Sequence, residues 1–433
     1  MDTEIDEFGP GVLAKLGAVN ESLGGGSTLH VVSDERIWAA EGRRLEAALR
    51  ENGLGFELLL LAGAPPPYAD EALVTFVRKA LAAEDFLPLA FGAGTINDVV
   101  KRASFELGRR YVCVPTAPSV DGYTSFGAAI TVKGFKLSLE CPAPFAVVAD
   151  AELLARAPGE LLASGYGDLV AKVPGGVDWM IADAIGVEKL DREIFDMVQP
   201  FAMGILDKGS LVSGRDAAAI GELYRGLTAS GLAMQRYRDS RPASGAEHLL
   251  SHIWEMDHLE HEGRAPSHGF KVAVGTMAMV AMQRLLFSMS AKELGEAASP
   301  IDEELLESRL SAAKAAFPPG YGLDLAIEAV RAKTLRTVDL VQRRELILAA
   351  WDALRSRALA RLPELAALRG NLLDAGCPAS PSDIGLTRKE FLRGILVAAL
   401  IRKRYTILDL ASDFGLLDYL AEALASTLEF RTP

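Results

Sequence analysis

Two hydrophobic periods alternate along the first 150 residues. Short apolar runs, long enough for a buried strand, are separated by stretches with apolar residues every three or four positions. Leu29–Ser33, Phe56–Leu61, Leu87–Phe91, Tyr111–Val114 and Phe145–Ala149 read as strands. Glu35–Arg50, closed by Gly53, and Asp70–Ala83 and Thr95–Leu107 read as helices. Ala128–Val132 and Phe135–Leu139 flank Lys133-Gly134 and predict a hairpin. Strand–helix alternation of this kind implies a mostly parallel sheet with helices on its faces. From Pro158 onward nearly every periodic segment reads as helix, rich in Ala, Leu, Glu and Arg. The expected organisation is an α/β domain over residues 1–155 and an all-helical domain over residues 156–433.

Composition narrows the partners. Half of the 433 residues are hydrophobic, enough for a large core without disulfides. Three widely spaced cysteines (Cys113, Cys141 and Cys377) suggest a reducing compartment and form no cysteine-type zinc spacing. A net charge of −13 argues against nucleic acid or anionic membrane as the main partner. The N-terminus, Met1 to Glu7, is acidic and lacks a signal-peptide pattern. Val272–Phe287 is apolar but broken by Gln283 and Arg284, which predicts a buried helix rather than a membrane span. A cytosolic protein is expected.

Four motifs carry candidate chemistry. Phe91-Gly92-Ala93-Gly94-Thr95-Ile96-Asn97-Asp98 joins a predicted strand to a predicted helix. Small residues there let backbone N–H groups approach a pyrophosphate, with the helix N-terminus adding a favourable dipole. An ordinary tight turn would have the same composition. Pro115 to Ser125 is a stiff, hydroxyl-rich loop with a carboxylate at Asp121, suited to line a polar pocket or merely the surface. Asp168 lies among small and apolar residues in Ser164–Lys172, where a carboxylate needs a cation or strong donors.

The fourth motif is the densest. Three of the six histidines, His248, His252 and His268, fall within 21 residues. His248 and His252 stand at i and i+4, on one face of a helix that Ser244 and Glu247 would start as a capping box. His258 and His261 lie in an acidic segment and read as solvated. Two imidazoles and a carboxylate leave an open position, the arrangement of a catalytic divalent metal.

In this order the motifs resemble those of a metal-dependent dehydrogenase superfamily that includes iron-type alcohol dehydrogenases, glycerol dehydrogenases and dehydroquinate synthases. The nearer resemblance is to the sn-glycerol-1-phosphate dehydrogenase family. It rests on Gly92–Asp98, Thr116–Tyr123, Gly165–Lys172, Ser244–His252, His268–Val272 and Arg402–Leu410. Ala93 departs from the family's glycine. The resemblance implies a dehydroquinate synthase-like fold, with a Rossmann-like parallel-sheet domain followed by an all-helical one. It implies Asp168, His248 and His268 as metal ligands, with His252 facing the substrate. It also implies Gly92, Ala93, Gly94, Thr95, Asp98, Thr116, Ser119 and Ser125 at the dinucleotide, and Asp121 and Asp168 at the substrate.

Asp34, ending the first predicted strand, is placed for the adenosine ribose, where its charge would favour NAD over NADP. Lys172 joins His252 and Asp121 as a catalytic candidate, and Lys172 and Lys271 are candidates for a substrate phosphate. The implied reaction is reversible, NAD- or NADP-dependent reduction of dihydroxyacetone phosphate on one divalent metal, zinc first, nickel or iron next. A related polyol or sugar-phosphate dehydrogenase and a dehydroquinate synthase-like lyase stay open as alternatives. The expected partners are a small phosphorylated substrate and further copies of the chain in a homo-oligomer, with no nucleic acid and no membrane insertion.

Overall fold

The computed structural model describes residues 1–429. In chain order the strands are β1 (Ile5–Gly9), β2 (Thr28–Asp34), β3 (Gly55–Leu61), β4 (Leu87–Gly92), β5 (Val112–Pro115), β6 (Ala128–Val132), β7 (Phe135–Leu139) and β8 (Ala146–Asp150). The helices that matter here are α1 (Glu35–Glu51), α2 (Glu71–Leu81), α3 (Gly94–Glu106), α4 (Gly159–Val170), α5 (Lys172–Ala184), α6 (Ala217–Tyr237), α7 (Ala246–Met256), α8 (His268–Ser288) and α9 (Ile407–Asp413). The chain forms two compact units. The first holds Met1–Leu169 and Lys208–Asp239; the second holds Val170–Asp207 and the chain from Ser240 onward.

The first unit is built on a six-stranded sheet in the order β1-β8-β5-β4-β2-β3, every pairing parallel. Its inner strands β2, β4, β5 and β8 read as apolar runs because both faces are covered. Alternate residues serve opposite faces. Val31, Phe91, Val114 and Val148 pack into one core with Leu45 and Leu49 of α1. Val32, Ala90, Cys113 and Val147 pack into another with Val77 of α2 and Val99 and Val100 of α3. An aspartate ends β2 and β8 and precedes α2, and each one caps the helix that follows. Asp34 accepts from Arg36 and Ile37, Asp70 from Leu73, and Asp150 from Glu152 and Leu153. The strand order reverses between β2 and β4, the point at which open α/β sheets bind ligands beyond their carboxyl ends.

Two features of this unit are absent from the sequence reading. The acidic N-terminal stretch is strand β1, paired with β8 from Ile5↔Ala146 to Gly9↔Asp150. Edge strands commonly carry charged side chains, so Asp6 and Glu7 mask it in the sequence. Helix α6 also groups here rather than with the other late helices. Gln235 accepts from the Asp2 amide at 2.8 Å and donates to Thr3 Oγ1 at 2.8 Å. Thr124 Oγ1 donates to the Thr228 carbonyl, and Phe8 stacks on Tyr224.

The described elements of the second unit are all helical. Its centre is α8, longer than the apolar run 272–287 suggests. Its length and composition would serve to cross a membrane, but most of it is buried among the unit's other helices. Helix α7 packs along α8, and Gly275 makes this possible: a Cβ there would lie 2.6 Å from the Glu247 carbonyl oxygen.

Candidate active site

In the first unit the glycine turn sits at the end of β4, beside the switch point. Gly92 and Gly94 are there because nothing larger fits. A Cβ on Gly92 would lie 2.6 Å from Ile96 Cβ, and one on Gly94 would lie 2.8 Å from Val120 Cγ2. Ala93, the departure from the family pattern, is the N-cap of α3 at φ −84°, a conformation any residue adopts. Its methyl group therefore leaves the turn intact. Thr95 is in the first turn of α3, and the Thr116 amide donates to the Gly92 carbonyl at 3.1 Å, joining loop to turn. Asp34 is buried, and its Oδ1 is the acceptor for both capped amides of α1.

Asp98 Oδ2 accepts from the Ala129 amide at 3.3 Å, while Oδ1 lies 3.8 Å from Lys101 Nζ. Burial pushes the Asp98 carboxyl above the usual carboxylate range, against the pull of Lys101. Loop 115–125 is tightly bonded. Ser119 Oγ lies 3.3 Å from the Tyr123 hydroxyl, and Ser125 Oγ donates to the Gly122 carbonyl at 3.0 Å. Asp121 Oδ2 accepts from Ser230 Oγ at 2.9 Å, and the Asp121 amide donates to Asp168 Oδ2 at 3.0 Å. Asp168 is fully buried in α4. Gly165, one turn earlier, is dictated by closeness: a Cβ there would lie 1.7 Å from the Pro118 carbonyl oxygen. The G-Y-G-D motif thus presses α4 against the loop that carries Asp121.

In the second unit the capping box is only half formed. Helix α7 starts after Gly245, and its N-cap accepts no side-chain bond. Ser244 Oγ donates to the Ser240 carbonyl at 3.0 Å, and Ser244 is held by Arg404, whose Nη2 also donates to Ser240 Oγ at 2.7 Å. Glu247 does reach back, accepting from the Gly245 amide at 2.7 Å. The same Oε1 lies 2.9 Å from His248 Nδ1. His268, the first residue of α8, repeats the pattern with Nδ1 3.2 Å from Glu255 Oε1. A ring that donates Nδ1–H to a carboxylate carries its lone pair on Nε2 and is more basic there. The two rings lie 5.5 Å apart, with ring nitrogens within 4.8 Å, a spacing that one cation can bridge. This donor chemistry fits a divalent metal.

His252 lies one turn beyond His248. Burial first, then the Arg402 guanidinium, holds its pKa well below the usual histidine range. Lys271 Nζ donates to the Pro266 carbonyl at 2.9 Å and pairs with Glu255 at 3.2 Å, so its charge answers a half-buried acid. Lys172 is fully buried at the start of α5, and its carbonyl accepts from Gln199 at 2.6 Å. His258 is exposed and His261 partly so, in the segment that follows α7. Sequence reasoning missed Glu247 and Glu255 as partners of the histidines, and Lys101 altogether. The Glu247-His248 dipeptide was the available signal for the first.

The family described as iron-containing alcohol dehydrogenase matches residues 7–158. The solved alcohol dehydrogenase from Oenococcus oeni aligns with a TM-score of 0.62 at 15% identity, covering 99% of this chain and 98% of that one. The fold is therefore that of the iron-containing alcohol dehydrogenases. Glycerol-1-phosphate dehydrogenase (NAD(P)+) of Bacillus subtilis is 32% identical across 71% of this chain and 82% of its own. The enzyme of the same name from Halalkalibacterium halodurans is 35% identical across 59% of this chain, which spans 65% of that relative's length. The chain belongs to the glycerol-1-phosphate dehydrogenase family.

Proposed function

We propose that the protein catalyses reversible reduction of dihydroxyacetone phosphate to sn-glycerol 1-phosphate with NADH or NADPH. The observation that carries this reading is the pair of carboxylate-held histidines, His248 with Glu247 and His268 with Glu255, in a chain of this family. Asp168, His248 and His268 would hold the metal. Two imidazoles and one carboxylate suit Zn²⁺ first, with Ni²⁺ or Fe²⁺ as alternatives that cellular supply can favour. When bound, the metal and the nicotinamide supply Lewis acidity at the ketone oxygen and the hydride.

The chain's own residues do the rest. Gly92, Ala93, Gly94 and Thr95 offer backbone N–H groups to the pyrophosphate at the start of α3, with Asp98, Thr116, Ser119 and Ser125 shaping the surrounding wall. Asp34 turns its charge toward the adenosine ribose and favours NADH, since a 2′-phosphate would be repelled. Asp121 and His252 face the substrate. His252, kept neutral, takes the alcohol proton during oxidation and returns it, directly or through water, during reduction. Lys172 is the candidate for the substrate's phosphate.

A substrate panel tests the reading. Dihydroxyacetone phosphate should exceed dihydroxyacetone and glycerol in kcat/KM by at least about 100-fold, the worth of a charge-assisted phosphate contact. Equal kcat/KM with and without the phosphate would refute the assigned substrate.

A further inference from the structure

We infer that Lys101 is a positioning residue for the substrate end of the first unit. Its ammonium sets the loop that carries Asp121, and through the Asp121 amide it orients the Asp168 carboxylate. The inference rests on the roles proposed for Asp121 and Asp168.

Lys101 sits in the second turn of α3, the helix whose N-terminus is the glycine turn, and it is 1% exposed. A lysine on a surface helix would keep its charge in water; this one is buried and needs compensation. Nζ donates to the carbonyls of Gly122 at 2.9 Å, Ser125 at 2.8 Å and Gly127 at 3.0 Å. An ammonium has three N–H bonds, and here three carbonyls accept them. Asp98, 3.8 Å away, supplies countercharge. The three carbonyls lie on one curve of chain, residues 122–127, that begins directly after Asp121. Asn97, on the same helix, adds a second donor to Gly122 at 3.2 Å and is itself fixed by the Tyr111 hydroxyl at 3.0 Å.

The consequence runs outward along the loop. With residues 122–127 fixed, the Asp121 amide faces Asp168 Oδ2 at 3.0 Å and its carboxylate faces Ser230 at 2.9 Å. Packing of α4 on the loop at Gly165 leaves little freedom elsewhere. Lys101 and Asn97 fix this loop from α3, while Thr228 and Gln235 hold Thr124 from α6. One helix thereby joins the nucleotide turn at its start to the substrate loop at its second turn. Loss of the lysine should disturb the substrate end and spare the turn, which its own glycines and Val120 define.

Lys101→Met keeps the length of the stem and removes the ammonium. Turnover is measured per NADH-binding site, titrated by NADH fluorescence, so that only folded protein is counted. The expected result is a fall in kcat of about 100-fold, the scale of a 1 Å misplacement, with the NADH dissociation constant changed less than about threefold. Hydrogen exchange should show protection lost at the amides of residues 121–127. A lysine that served stability alone would lower the melting temperature and leave kcat per site unchanged, and that outcome overturns the inference. So does exchange protection that survives the substitution.

If Lys101→Met fails to fold, Asn97→Ala removes one donor to the same loop. It should give a smaller loss of kcat, about tenfold, with the same amides exposed; unchanged turnover and protection there overturn the inference equally. Wild-type protein inactive on dihydroxyacetone phosphate would refute the substrate assignment instead, and the exchange measurement would still judge Lys101.

Discussion

Glu247 shows how much chemistry one side chain can organise. It is fully buried, and a buried carboxylate needs donors on its oxygens. One donor is the Gly245 amide, which fixes the start of α7; the other is the His248 ring, which fixes a tautomer. Removing the carboxylate should free the ring to rotate and lower the basicity of Nε2. Glu247→Ala is expected to weaken metal affinity by about 10- to 100-fold, measured by competition with a chromophoric chelator. Unchanged affinity would show that the pairing serves the helix end alone. The sequence pointed at His248 and His252 through their spacing but not at this carboxylate. A Glu three residues after a Ser resembles a cap first, and the spacing alone does not show that its Oε1 also meets the adjacent His248 ring. Lys101 was invisible for a similar reason: in a helical pattern a lysine looks solvated, and its burial depends on a loop more than twenty residues away.

At the level of elements, the inner strands of the sheet were legible to within about a residue because both sheet faces are buried and the runs are nearly continuous. The hairpin was legible in full from Lys133-Gly134. The helix ends of the second unit were less so, because buried tertiary donors and acceptors set them. Asp178, on α5, is the clearest case. Its Oδ2 accepts from the Ala246 amide at the start of α7 at 2.8 Å. Its Oδ1 accepts from the Ile407 amide at the start of α9 and from Gln283 of α8, each at 3.0 Å.

Burial first, then the charge of Glu247, pushes the Asp178 carboxyl up to about 7 from 3.8. The folded state thus holds this proton more tightly than the unfolded chain. The stabilisation is complete below about pH 4, and is lost as pH rises toward about 7. Urea midpoints of wild type should therefore fall across that window more steeply than those of Asp178→Asn, in which the proton is no longer exchanged. Parallel slopes for the two proteins would remove Asp178 as the source.

For the whole molecule, the proposed nucleotide elements and the paired histidines fall in different units, with the proposed ligand Asp168 in the first. The nucleotide elements, the β2–β4 switch point, the glycine turn and loop 115–125, all belong to the first unit. The paired histidines belong to the second, at the N-terminal ends of α7 and α8. The sequence could not show that α6 joins the first unit, since that grouping depends on Gln235 meeting Thr3 and Thr124 across more than a hundred residues. The division predicts that cofactor and metal are separable. Protein stripped by a strong chelator should still bind NADH, read by fluorescence, while turnover vanishes. Its melting temperature should fall as well, because a ligand held at 100 times its dissociation constant stabilises the folded state by about 2.7 kcal/mol. Returning Zn²⁺, Ni²⁺ or Fe²⁺ singly should restore both turnover and thermal stability with the metal the site prefers. Undiminished turnover in protein that elemental analysis finds metal-free would end the metal reading. Loss of NADH binding together with the metal would show that the nucleotide elements do not hold the cofactor unaided.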